Sequence, residues 1–168
     1  MKNKIEKVAV LGAGTMGAQI AGHLANAGIP SCLFDISQEL AENGVGMLTS
    51  LKPAPLYKPK NASLIEAFNY DDHLEKIKDA DWIVEAVAEN LDIKHQVYTN
   101  IAEYIKSSAI ISSNTSGIPL GNLTQVMSDD LKSRFLITHF FNPPRYMSCL
   151  LYTSDAADDT PCVDLGGR

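Results

Sequence analysis

Short apolar runs alternate along the chain with segments whose apolar residues recur at helical spacing. Val8-Ala9-Val10-Leu11 is apolar at every position, the pattern of a strand covered on both faces. A strand is predicted over 7–11, and a helix over 15–27 follows it. A second strand over 30–35 leads into a helix that Ser37 opens as N-cap, with Glu39 in its first turn. That helix is predicted to end between 47 and 50. Leu51 to Lys60 then holds three prolines and three lysines, a proline density that forbids a continuous helix. An ordered or semi-ordered excursion on one edge of the domain is expected there, functional or a plain surface loop. Residues 62–68 are predicted as a short helix, 69–71 as a short strand, and 73–77 as a brief amphipathic segment. Trp82 to Val87 reads as a central parallel strand. A helix over 92–105 carries Ile93, Val97, Ile101 and Ile105 on one face. A strand over 109–111 is followed by a short helix with Pro119 in its first turn, reaching Val126. The last predicted strand covers 135–138. Strands alternating with helices in this way predict an α/β fold: a doubly wound, mostly parallel sheet of Rossmann type.

Composition changes this picture little. The chain's 168 residues suit one domain, and 45% apolar content suffices for a core. A net charge of −6 argues against a nucleic-acid partner. No apolar run approaches a membrane span, and the polar start, Met1 to Lys7, has no signal-peptide core. Three cysteines without a C-x-x-C pair suggest neither a disulfide framework nor a zinc site, and no His/Asp/Glu group has metal-ligand spacing. The expectation is a reducing, cytoplasmic setting with no metal.

The chemistry begins where the first strand ends. Gly12, Gly14 and Gly17 have the G-x-G-x-x-G spacing, between a strand and a helix, as a dinucleotide-binding turn requires. The first glycine permits the tight turn, the second lets a pyrophosphate approach the backbone, and the third lets helix and strand pack closely. The helix presents free N–H groups and its positive dipole end to the phosphates. Asp35 ends the second strand, 18 residues past Gly17. A carboxylate there accepts from the ribose 2′-hydroxyl and repels a 2′-phosphate, which favours NAD over NADP.

Ligands of doubly wound sheets bind outside the carboxyl ends of the strands. Polar residues fall at those ends in succession: Gly12 to Gly17, Asp35, Glu89, Asn114 to Ser116, then His139 and Asn142. Histidine as a residue type can take up and release a proton near neutral pH, so His139 suits proton transfer beside a hydride transfer, or is a packed histidine at a strand end. Ser116 bonds a substrate oxygen or the nicotinamide ribose, or caps a turn. Asn142 holds the nicotinamide carboxamide, or belongs to an ordinary Asn-Pro turn. Glu89 and Lys94 reach the cofactor or form a surface pair. His23, His73 and His95 receive no role, the last two being read as surface residues.

Taken together, Gly12-Ala13-Gly14-Thr15-Met16-Gly17, Glu85-Ala86-Val87-Ala88-Glu89-Asn90, Ser113-Asn114-Thr115-Ser116 and His139-Phe140-Phe141-Asn142-Pro143 resemble the NAD-binding domain of L-3-hydroxyacyl-CoA dehydrogenases. The resemblance spans about Lys4 to Met147. The proline-lysine stretch followed by Asn69-Tyr70-Asp71-Asp72 resembles the bacterial multifunctional fatty-oxidation branch. The resemblance implies oxidation of the 3-hydroxyl of an acyl-CoA with NAD as hydride acceptor. It makes His139 the general base, with Ser116 and Asn142 positioning substrate and cofactor. Asp35 then holds the adenosine ribose, and Met16, Val87, Ala88, Glu89 and Lys94 line the cofactor with the glycine turn. An acyl-CoA is the implied partner, and the family's helical second domain supplies substrate contacts and a homo-oligomer interface.

The resemblance stops after Met147. The family's glutamate that orients the catalytic histidine falls, by counting, at position 151, which is Leu151 here. Cys149 to Asp159 and Val163 to Arg168 resemble the translated read-through of a transposase sequencing adapter. The sequence therefore divides into a dinucleotide-binding domain over 1–148, incomplete at its C-terminal end, and a non-native tail over 149–168. The tail is expected to be disordered or loosely placed. The helical domain is expected to be absent, and the chain to bind NAD with weak or no turnover. A stand-alone NAD-binding module or subunit is the alternative.

Overall fold

Seven strands form one sheet in the order β3-β2-β1-β4-β5-β6-β7. The structure is a computed structural model and describes residues 4–152. The strands are β1 (Val8–Leu11), β2 (Ser31–Asp35), β3 (Ile65–Asn69), β4 (Trp82–Glu85), β5 (Ile110–Ser113), β6 (Phe135–Phe140) and β7 (Cys149–Tyr152). The α-helices are α1 (Thr15–Asn26), α2 (Gln38–Met47), α3 (Tyr70–His73), α4 (Leu91–Ile101), α5 (Leu120–Leu123) and α6 (Asp129–Lys132). β1 to β6 pair in parallel, and β7 runs antiparallel to β6. The sheet is thus the mostly parallel, doubly wound one that the alternation predicts.

β1 is apolar at every position because both its faces are covered. Ala9 and Leu11 join Tyr98 and Ile101 of α4 and Leu120 and Leu123 of α5 in one core. Val8 and Val10 join Ala18, Ile20 and Ala21 of α1 in the other. The chain winds outward from β1 through β2 to β3, then returns to lay β4 on the other side of β1. That reversal opens a crevice at the carboxyl ends of β1 and β4, where open α/β sheets hold their ligands.

Several local expectations are corrected. The helix expected over 62–68 and the strand over 69–71 are replaced by a 3-10 segment, Pro59–Leu64, and by β3. Parallel pairing with β2, Ile65 opposite Ser31 through Asn69 opposite Asp35, overrides local helix propensity. Asn69 then caps α3 by accepting from the Asp72 N–H at 2.8 Å. The helix expected to reach 105 ends at Ile101 and tightens into a 3-10 turn over Ala102–Tyr104. β4 stops at Glu85, not Val87, and α6 has no counterpart in the sequence reading. The proline-lysine stretch is ordered, as expected. Arg145 Nη1 donates to the carbonyls of Ala54 and Leu56 at 2.7 and 3.0 Å, and its guanidinium stacks on Tyr57.

The largest correction lies at the far edge. β6 extends past Thr138 to Phe140, so His139 lies within a strand, because Cys149–Tyr152 pairs with it. The first four residues of the expected loose tail are therefore part of the sheet. The rest of that tail lies outside the described residues.

Candidate active site

The glycine turn is built to be tight. Gly12 has φ +100°, and a Cβ there would lie 2.7 Å from the Ala86 carbonyl oxygen. A Cβ on Gly17 would fall 1.7 Å from the Gly12 carbonyl oxygen, so only glycine lets α1 start this close to the turn. Gly14 differs: a Cβ there meets nothing within 4 Å. Its outer side is open space, and as N-cap of α1 it leaves the first-turn N–H groups without a side-chain cap. Open space before uncapped N–H groups suits a pyrophosphate. Asp35 is half-buried beside this turn. Its Oδ2 accepts from the Ala13 N–H at 2.6 Å and its Oδ1 from the Ile36 N–H at 2.7 Å. The donor and acceptor set therefore fits a dinucleotide. Among the nearby residues singled out from sequence, Met16 and Val87 are half-buried, whereas Thr15 and Ala88 are exposed.

Further along the same rim, β5 and β6 deliver the polar residues. His139 Nε2 lies 3.5 Å from Ser116 Oγ, and the imidazole stacks on Phe141 with centroids 4.6 Å apart. The neighbouring Phe140 N–H donates to Asn114 Oδ1 at 2.8 Å, tying the His139 strand to the loop after β5. Exposed Asn142 accepts from Gln19 Nε2 of α1 at 3.1 Å. This contact joins the rim to the glycine turn across a cleft of about 300 Å³, lined by Thr15, Gln19, Lys52, Pro53, Asn142 and Pro143. A larger hollow of about 530 Å³, lined by Tyr98, Ile105, Met127 and Arg134 among others, contains none of these residues.

Glu89 fixes the Ser116 turn. Its Oε1 accepts from Thr115 Oγ1 at 2.6 Å, from the Ser116 N–H at 2.9 Å and from the Gly117 N–H at 3.2 Å. Burial pushes the Glu89 carboxyl up, but these donors and the Lys94 ammonium outweigh it and hold the group below the usual carboxylate range. Of the two readings of Glu89 and Lys94, neither a surface pair nor direct cofactor contact fits Lys94, which is 1% exposed. Its Nζ lies 2.7 Å from Glu85 Oε1 and 3.3 Å from Glu89 Oε2. Lys94 thus sits behind Glu89 rather than on the open rim. His73 and His95 are also half-buried; His73 stacks on Phe68, and His95 Nε2 meets the Asn122 carbonyl at 2.7 Å.

The model for the 3-hydroxyacyl-CoA dehydrogenase NAD-binding domain matches residues 7–157. The chain belongs to this family. A probable 3-hydroxyacyl-CoA dehydrogenase of Deinococcus radiodurans is 47% identical over 154 residues, covering 88% of this chain and 44% of that protein. A putative fatty acid oxidation complex trifunctional enzyme of Rickettsia felis is 43% identical over 157 residues, covering 89% of this chain and 22% of that protein. Among solved structures, the (S)-3-hydroxybutyryl-CoA dehydrogenase of Ralstonia eutropha superposes with TM-score 0.77 at 31% identity, over 92% of this chain and 57% of the other. The chain thus spans less than half the length of these two curated relatives. The family's members are oxidoreductases, and the match is to their NAD-binding domain.

Within this domain, the β6–β7 register also fixes which residue lies opposite the histidine. Leu150, not Leu151, pairs with His139; Leu151 pairs with Thr138 and is 68% exposed. Among the described residues the His139 ring makes one side-chain hydrogen-bond contact, with Ser116, and none with a carboxylate. Glu85 and Asn114, quoted in the sequence motifs but given no role there, and Gln19, which the sequence reading did not single out, are site-building residues. For Glu85 a signal existed, since it is the one charged residue between apolar Ile83-Val84 and Ala86-Val87.

Proposed function

We propose that this chain is the NAD-binding half of a dehydrogenase that oxidises the 3-hydroxyl of L-3-hydroxyacyl-CoA to 3-oxoacyl-CoA, the hydride-transfer step of fatty acid β-oxidation. The observation that carries the reading is the placement of the glycine turn, Asp35 and the His139–Ser116 pair on one rim of the sheet. Asp35 selects NAD by accepting from the ribose and repelling a 2′-phosphate. The nicotinamide, when bound, supplies the hydride acceptor. His139 Nε2 takes the proton of the 3-hydroxyl as the hydride leaves the same carbon. Ser116 Oγ, within reach of that nitrogen, holds the substrate oxygen in line. Asn142, bonded to Gln19, fixes the carboxamide end of the cofactor near α1. Met16, Val87, Ala88 and Glu89 complete the wall, and buried Lys94 acts on it through Glu89.

Turnover by this chain is weak or absent. Among the described residues nothing acidic faces His139 from β7, and neutralising the carboxylate partner of a catalytic histidine costs up to about 10⁴-fold in rate. That missing partner also favours a second reading, a stand-alone NAD-binding module or subunit without catalysis. We place the end of the family-like sequence near residue 148, on the sequence of 149–168 itself; the family match runs past that point to 157. The nucleotide sequence beyond codon 148 tests this boundary, and an authentic stop codon after Arg168 in a clean genomic read contradicts it.

An assay with 3-hydroxybutyryl-CoA and NAD, run beside NAD titrations, separates the readings. A slow rate abolished in His139→Ala, with NAD affinity unchanged, assigns the base. Equal rates in both proteins remove His139 from the mechanism. NAD binding without any rate supports the module.

A further inference from the structure

Glu85 is fully buried at the end of the central strand, and every acceptor position on its carboxylate is used. Oε1 accepts from Lys94 Nζ at 2.7 Å and from the Val87 N–H at 2.8 Å. Oε2 accepts from Tyr98 Oη at 2.7 Å and from Ser113 Oγ at 2.6 Å. A carboxylate withdrawn from water is costly unless a cation and hydrogen bonds compensate it, and here both are present. Such an arrangement at the end of an otherwise apolar strand is not needed for packing. An apolar residue of the same volume would serve the core as well.

Its connections run to one place. Through Oε1, Lys94 is held against Glu89, whose own carboxylate binds Thr115, Ser116 and Gly117. Through Oε2, Ser113 Oγ is oriented to accept from the Thr115 N–H at 3.2 Å. Through its backbone carbonyl, Glu85 accepts from the Asn114 N–H at 2.7 Å, and Asn114 Oδ1 in turn holds the Phe140 N–H. All three routes end within one residue of Ser116 or His139, which are 3.5 Å apart.

We propose that Glu85 is a positioning residue of the hydride-transfer site, anchoring the 114–117 turn from beneath so that Ser116 Oγ faces His139 Nε2. Glu85 touches neither cofactor nor substrate. It acts through Lys94–Glu89 on one side and Ser113 on the other. The inference rests on the reading of the site given above, and it assigns the rigid support of His139 to the β4–β5 side, opposite β7.

The test uses Glu85→Gln, which keeps the shape and removes the charge. Tyr98→Phe is the milder second variant: it removes one donor to Oε2 and keeps the ring against Phe135. Asp81→Asn is the control, since it breaks the Lys106 ion pair at the opposite end of β4, away from the rim. Each protein is titrated with NAD, and the His139 ring resonances are followed by NMR from pH 5 to 8. Glu85→Gln is expected to weaken NAD binding about tenfold and to shift the His139 titration. Tyr98→Phe is expected to weaken binding two- to threefold and to move the His139 resonances in the same direction. Asp81→Asn is expected to change neither, whatever stability it loses. His139 titrations and NAD affinities of Tyr98→Phe, and of Glu85→Gln where it folds, that match those of Asp81→Asn overturn the assignment. A parent chain that fails to bind NAD overturns the proposed function instead, so the two failures are distinguishable.

Discussion

At the scale of single residues, the pairing of His139 with Leu150 makes a sharp prediction. Directly opposed residues on antiparallel strands place their Cβ atoms about 5 Å apart on the same face. A carboxylate at 150 therefore faces the imidazole, whereas one at 151 projects into solvent beside Thr138. Leu150→Glu should raise the His139 pKa, because a nearby negative charge favours the imidazolium. Leu151→Glu should raise it less. NMR titration of both variants checks this, and a larger shift from Leu151→Glu would mean that the β6–β7 register differs. Glu89 carries a second prediction. Its folded pKa is lowered, so its stabilisation is present above the pKa of an unfolded glutamate. It is lost as pH falls through the lowered folded value. Thermal unfolding midpoints should thus drop below about pH 4.5 through the release of the 115–117 turn. Glu89→Gln should flatten that part of the profile, and an unchanged acid limb would show that Glu89 does not hold the turn.

At the scale of elements, the glycine turn separates folding from binding. Gly17→Ala puts a methyl group onto the Gly12 carbonyl, so α1 must move away from β1. It should destabilise the fold by roughly 1–3 kcal/mol or more, as overpacking does, and abolish NAD binding. Gly14→Ala meets only open space. It should cost about 1 kcal/mol or less as an N-cap change, yet weaken NAD at least tenfold by filling the phosphate approach. Paired melting curves and titrations check both; equal losses of affinity and stability at Gly14 would contradict the division. The turn was legible in sequence because its spacing, the apolar strand before it and Asp35 after it reinforce one another. β3 was not, since Ile65-Glu66-Ala67-Phe68 becomes a strand only by pairing with β2, a long-range contact that local propensity does not encode. The full length of β6 escaped for the same reason: its last two residues are stabilised by a partner strand in a stretch that reads as foreign to the domain. The burial of Lys94 was hidden because a lysine three residues into an amphipathic helix looks solvent-facing until Glu85 is seen beneath it.

At the scale of the whole molecule, strand order decides what the residues can do together. Placing β4 beside β1, rather than beside β3, puts Ala86 against the glycine turn and aligns the carboxyl ends of six parallel strands. That alignment brings Asp35, Glu89, Ser116 and His139 to one rim, although 104 positions separate the first from the last. Gln19 and Asn142 then close the distance between the glycine turn and the His139 side of the crevice. This frame is built from the described residues of this chain alone, so the chain should bind the dinucleotide on its own. The direct measurement is calorimetric titration of the purified chain with NAD and with NADP. Saturable one-to-one binding of NAD, at least tenfold tighter than NADP and lost in Gly14→Ala, is the predicted result. No saturable NAD binding by the folded chain, or equal affinity for the two dinucleotides, would contradict it.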